Sequence, residues 1–147
     1  MGNIEGITLT PLKIITGANG NVLHALKAEE SSFTGFGEAY FSTVNHGVVK
    51  GWKKHQRMVL NLVVPVGTIQ FVVYDGRADS PTYGQIQDVV LSPESNYQRL
   101  TVQPGLWMAF KGVSEELNML LNLASIQHDP TEAENIPIEN DVIPYHF

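Results

Sequence analysis

The stretch MVLNLVVPVGTIQFVVYDG, Met58 to Gly76, most constrains the fold. Two runs rich in Val, Ile and Leu meet at Gly67-Thr68, with no residues between them for a helix. β-Branched side chains are stiff at χ1 and pack best on a pleated surface. Runs of about four to eight such residues, bounded by Gly, Pro, Asn or Asp, read as strands. The same punctuation recurs along the chain. ITLTPLKII (Ile7 to Ile15) is a first strand, TGANGNV supplies an Asn-Gly hairpin signal, and VLHALK follows as its partner. After the polar loop AEESSFTGFG come EAYFSTVN and VVKGW. Beyond the central pair, DGRADSPTYG is a long loop, QIQDVVLS a strand, SPESNY a turn, QRLTVQ a strand and Pro104-Gly105 a turn. LWMAFKGV and NMLLNLAS are two more strands. NMLLNLAS also has the composition of a helix, but its capping box is defective: Ser114 is followed three residues later by Leu117 rather than Glu or Gln. The tail from Gln127 to Phe147, with three prolines and many acids, reads as an extended arm. Roughly eight to ten strands at short spacing predict an all-β chain, as an antiparallel sandwich or closed barrel.

Composition narrows the function classes. At 147 residues, without internal repeats, the chain is expected to form a single domain over 1–147. It has no cysteine, which excludes disulfides and thiolate metal sites and fits a cytoplasmic protein. The start MGNIEGITLT lacks the charged and apolar regions of a signal peptide, and Gly6 stands where a myristoylation signal wants Ser or Thr. The longest apolar run, Val59 to Val66, is too short to span a bilayer, so no membrane partner is expected. A net charge of −6 opposes general nucleic-acid binding, which needs a basic face.

A locally basic pocket is still compatible with that charge. Lys50, Lys53, Lys54 and Arg57 are four of the nine Lys and Arg residues, within the segment GVVKGWKKHQR. Convergent cations suit a diphosphate; a solvated edge that blocks strand aggregation is the competing reading. In a regular strand Lys53, His55 and Arg57 share one face, with Lys50 and Lys54 on the other. His55 is a candidate general base, since an imidazole exchanges protons near neutral pH; an exposed strand-end histidine is the alternative. Trp52, Trp107 and Tyr83 are candidates for stacking on a sugar or nucleobase, against the plain reading of large aromatics as core. The five histidines, His24, His46, His55, His128 and His146, form no His-x-His pair, so no metal site is expected. There is no Walker loop, no GxGxxG before a helix and no GxSxG elbow.

Four stretches taken together resemble one family. GVVKGW, VVPVGTIQFVVYDGRADSPTYGQIQDVVLS, QRLTVQPGLWMAFKGVSEE and HDPTEAENIPIENDVIPYHF, in this order from about Val44 to the C-terminus, are similar to the dTDP-4-dehydrorhamnose 3,5-epimerases. The resemblance implies a cupin-type jelly-roll barrel with an extended C-terminal arm, usually a homodimer through exchanged N-terminal strands. It implies a nucleotide-diphosphate 4-keto sugar as substrate and deoxysugar or O-antigen-type polysaccharide synthesis as the setting. The chemistry is proton exchange beside a ketone: a base removes a proton at C3 or C5, a cation or donor steadies the enolate, and an acid returns a proton on the opposite face. No metal or organic cofactor is needed for that scheme.

The family's catalytic set is not carried over intact. Where the family reads Arg-Gly-Leu-His, this chain has Lys50-Gly51-Trp52-Lys53. By the resemblance Lys50 takes the diphosphate, Lys53 stands at the base position, and His55, one strand period later, is the candidate base with Lys53 as stabiliser. The family's enolate-stabilising lysine falls near Leu60, its second histidine at Met108, and its tyrosine at Gln127 or His128. The aspartate that orients the base lies in an extension beyond Tyr145-His146-Phe147. Substrate-binding candidates are therefore Lys50, Trp52, Arg57, Trp107, Tyr83 and His128. Three readings stay open: a divergent epimerase acting at C3, C5 or both, a related keto-sugar isomerase, and a non-catalytic sugar-nucleotide-binding cupin.

Overall fold

The computed structural model describes residues 3–147. Its strands are β1 (Ile7–Pro11), β2 (Ile14–Ile15), β3 (Val22–Leu23), β4 (Glu38–Thr43), β5 (Val49–His55), β6 (Leu60–Val66), β7 (Ile69–Tyr74), β8 (Ile86–Leu91), β9 (Gln98–Val102), β10 (Trp107–Gly112), β11 (Met119–Ala124) and β12 (Ala133–Asn135). Two five-stranded sheets, ordered β1-β9-β6-β11-β4 and β12-β5-β10-β7-β8, pack face to face as a cupin-type jelly roll. NMLLNLAS is a strand, paired on both sides by β4 and β6. The long first strand of the sequence reading is split: Pro11 ends β1, and Ile14–Ile15 pairs instead with Val22–Leu23 across the Asn-Gly turn. Gly67 makes a sharp turn that carries the chain from the first sheet to the second. A Cβ there would meet Leu117 O at 2.2 Å, and φ is +81°.

The core lies between the sheets. Leu62, Val64, Leu100 and Leu120 face Ile69, Phe71, Val73, Leu91 and Met108. A second apolar cluster forms on the outer face of the second sheet. There Trp52, Val72, Tyr74, Trp107 and Ala109 are covered by Ile136, Ile138, Ile143, Tyr145 and Phe147 from the C-terminal arm. The arm is thus a docked strap. A 3₁₀ turn at Pro130–Glu132 leads into β12, which adds to the edge of β5 with Ala133 opposite His55 and Asn135 opposite Lys53. Phe147 then packs against Trp52, the ring centroids 5.9 Å apart and the planes tilted by 46°.

The Asp-x-Arg and Ser-Pro-Thr motifs pin the β7–β8 loop. Asp75 is fully buried and accepts from Arg77 Nε at 2.9 Å, from Thr82 Oγ1 at 2.6 Å and from Ser80. Burial alone would raise its carboxyl, but these hydrogen bonds prevail and hold it well below the usual range. On the first sheet the buried Arg99 performs a similar task. It donates to Asn61, Ala25 O, Ser32 and Glu30, tying the loop before β4 to the sheet.

Candidate active site

A cavity of about 280 Å³ opens between the sheets. The second sheet contributes Lys50, Gly51, Lys53, His55, Met108 and Phe110; the first contributes Tyr40, Ser42, Leu60, Leu62, Leu120 and Asn122. Lys50 and Lys53 are three apart, so strict alternation would set them on opposite faces. A bulge removes the conflict. Met108 pairs with Lys53 and Phe110 with Lys50, two steps along β10 against three along β5. Both lysines and His55 therefore line the same cavity, correcting the even-odd assignment of the regular strand. The bulge needs Gly51: its φ is +140°, and a Cβ would sit 2.6 Å from that of Ala109.

His55 is held from behind. Its Nδ1–H donates to Glu132 Oε1, and the Glu132 side chain is only 2% exposed. Glu132 Oε2 accepts from the backbone N–H groups of Gln56, Arg57 and Met58 at 3.1, 3.1 and 3.3 Å. Burial opposes ionisation of this carboxyl, but the His55 and backbone hydrogen bonds outweigh it and the value is lowered. An ionised carboxylate only accepts, so Nδ1 carries the hydrogen, and in the neutral ring the lone pair belongs to Nε2. The resemblance placed the orienting carboxylate in an extension beyond Phe147. Glu132, on the short 3₁₀ turn, occupies that role in space. The available signal was HDPTE: Asp129 caps the turn through the Thr131 N–H, with Pro130 as its first residue.

The remaining candidates fall outside the cavity. Trp52 is fully buried and Trp107 nearly so, both in the outer cluster beneath the arm, because their positions alternate with the inward residues. Lys54 also points outward, 4.9 Å over the Trp107 ring and 2.8 Å from Glu134. Arg57 lies past the end of β5, exposed and paired with Asp129 at 3.2 Å. Tyr83 is exposed on the β7–β8 loop, and His128 is exposed before the 3₁₀ turn. None of these six side chains lines the cavity. Lys50 Nζ donates to Thr43 O at 2.7 Å, while Lys53 makes no ion pair among the described residues. Leu60 and Met108, standing where the family's lysine and second histidine would fall, both line the cavity as apolar groups.

Known proteins share this scaffold. A crystal structure of a dTDP sugar isomerase from Desulfovibrio desulfuricans G20 is 38% identical and superposes with a TM-score of 0.94, covering 97% of this chain and 91% of that one. The probable low-salt glycan biosynthesis epimerase Agl13 of Haloferax volcanii is 29% identical over 95% of this chain and 91% of its own. ChmJ, a 3'-monoepimerase from Streptomyces bikiniensis solved with dTDP-quinovose, shares the fold at 21% identity and a TM-score of 0.82, covering 90% of this chain and 70% of that one. The sequence profile described as dTDP-4-dehydrorhamnose 3,5-epimerase matches residues 2–144, and the chain belongs to that family of sugar epimerases.

Proposed function

We propose that this protein epimerises a nucleotide-diphosphate 4-keto-6-deoxyhexose at C3, C5 or both, as a step in polysaccharide assembly. The observation that carries the reading is the buried Glu132 carboxylate that holds the His55 ring at the cavity wall. A binding protein has no need to fix one imidazole tautomer with a buried charge, whereas a general base does. His55 Nε2 takes the proton next to the ketone. Lys53 faces the same space and offsets the negative charge that develops on the enolate oxygen. Lys50 receives the diphosphate as a point charge. Leu60, Leu62, Met108, Phe110 and Leu120 give the walls an apolar character suited to a deoxy sugar.

We read the assembly as a homodimer in the cytoplasm. Among the described residues the β4 edge is unpaired; it carries Phe41 at 64% exposure, and the β2–β3 hairpin exposes Ile15 and Val22. Both features suit burial by a second copy.

The test is His55→Ala assayed with a dTDP-linked 4-keto-6-deoxyhexose. Epimer formation should fall on the order of 100- to 10,000-fold, while calorimetric binding of dTDP is retained. Unchanged turnover would remove His55 from the reaction.

A further inference from the structure

Epimerisation that begins with proton removal by His55 needs a donor on the opposite side of the sugar, and no assignment so far supplies one. The wall opposite His55 is built by the first sheet, and its one phenol is Tyr40. Tyr40 on β4 and Asn122 on β11 are direct cross-strand partners. Asn122 Nδ2 donates to Tyr40 Oη at 2.9 Å. The phenol oxygen is thereby used as an acceptor, and its O–H donates to no group among the described residues. The Asn122 side chain is largely buried, and its Oδ1 has no hydrogen-bond partner although the residue lines the cavity. A buried amide oxygen without a partner is costly, so its presence here points to a group that arrives with a ligand. Burial pushes the Tyr40 phenol up, the Asn122 hydrogen bond pulls it partly back, and Glu38 adds to the rise. The phenol is therefore held in its protonated form.

We propose that Tyr40 is the proton donor of the epimerisation, acting from the wall opposite His55, with Asn122 positioning it and offering Oδ1 to a sugar hydroxyl. This rests on the epimerase reading. In the forward step the C–H bond breaks, its electron pair moves into the enolate, and the proton goes to His55 Nε2. The enolate carbon then takes the Tyr40 proton on its other face, the carbonyl re-forms and a phenolate is left. His55 has gained one proton and Tyr40 has lost one; exchange with solvent restores both. The reverse reaction uses the phenolate as base and the imidazolium as acid.

The experiment is Tyr40→Phe in deuterated water, run from each of the two epimers of a dTDP-linked 4-keto-6-deoxyhexose and followed by NMR. The variant removes one hydroxyl and the hydrogen bond it accepts from Asn122, and a wild-type melting temperature checks its fold. In Tyr40→Phe the His55 side still works alone. Deuterium should therefore enter one epimer without inversion, at a rate within about 10-fold of wild type, while interconversion falls on the order of 100-fold or more. A merely structural role would lower labelling and interconversion together, and that result overturns the assignment. Interconversion at the wild-type rate also overturns it, and leaves the epimerase reading intact. A wild-type protein that neither labels nor interconverts the sugar overturns both.

Discussion

At the scale of single residues, the site rests on one pair. Glu132 serves four hydrogen-bond donors at once, the His55 ring and three consecutive backbone N–H groups. Its replacement should therefore act on both chemistry and stability. Glu132→Gln keeps the shape but offers the ring a neutral partner that favours no tautomer. Turnover should drop on the order of 100-fold, with dTDP binding retained, as read by steady-state kinetics and calorimetry. Glu132→Ala leaves those backbone donors without their acceptor and should cost about 2–3 kcal/mol in denaturant unfolding. The pH dependence has a definite sign. The Glu132 carboxyl is lowered in the folded state, so the unfolded chain binds more protons as the medium acidifies. Its contribution is complete above the ordinary value near 4.5 and is lost as pH falls through the folded value. Asp75 behaves in the same way. Urea titrations at falling pH should show a steep loss of wild-type stability below the ordinary carboxylate range and a shallower one for Glu132→Gln.

At the scale of elements, the arm and the bulge decide what the strands alone do not. The arm supplies Glu132, extends the sheet through β12 and seals Trp52 and Trp107. Removing residues 128–147 should abolish turnover and shift tryptophan emission to the red, because both indoles would meet water. An emission spectrum unchanged by the truncation would show that the strap does not cover them. Gly51→Ala brings a Cβ against Ala109 at a left-handed φ, and should cost about 1–3 kcal/mol while displacing Lys50 from the cavity. The strands were legible because alternation and turn residues are local signals. The inward set of β5 was legible only in part: Lys53 and His55 follow simple alternation, whereas Lys50 reaches the cavity through a bulge that depends on the partner strand. Trp52 and Trp107 attracted a stacking role from their chemistry. Their burial depends on an arm some eighty residues and some thirty residues further along the chain, which no local pattern announces. Glu132 was missed for the same reason, since its partner lies 77 residues away.

At the scale of the whole molecule, the chain keeps the family's scaffold, and His55, Lys53 and Lys50 meet in the cavity between its two sheets. The stretch from Asp75 to Thr82, part of the resemblance, fixes a loop and lines none of the candidate active-site cavity. Sedimentation equilibrium at micromolar concentration should give twice the monomer mass of 16.2 kDa, and a monomer would remove the dimer reading. The account as a whole stands on His55 as the base of an epimerase. Its most direct measurement is NMR of a dTDP-linked 4-keto-6-deoxyhexose in deuterated water, with wild type and His55→Ala compared against the protein-free rate. The account predicts label at C3, C5 or both with wild type and none above background with His55→Ala. Equal labelling by the two proteins, or binding by wild type with no label at either carbon, would contradict it.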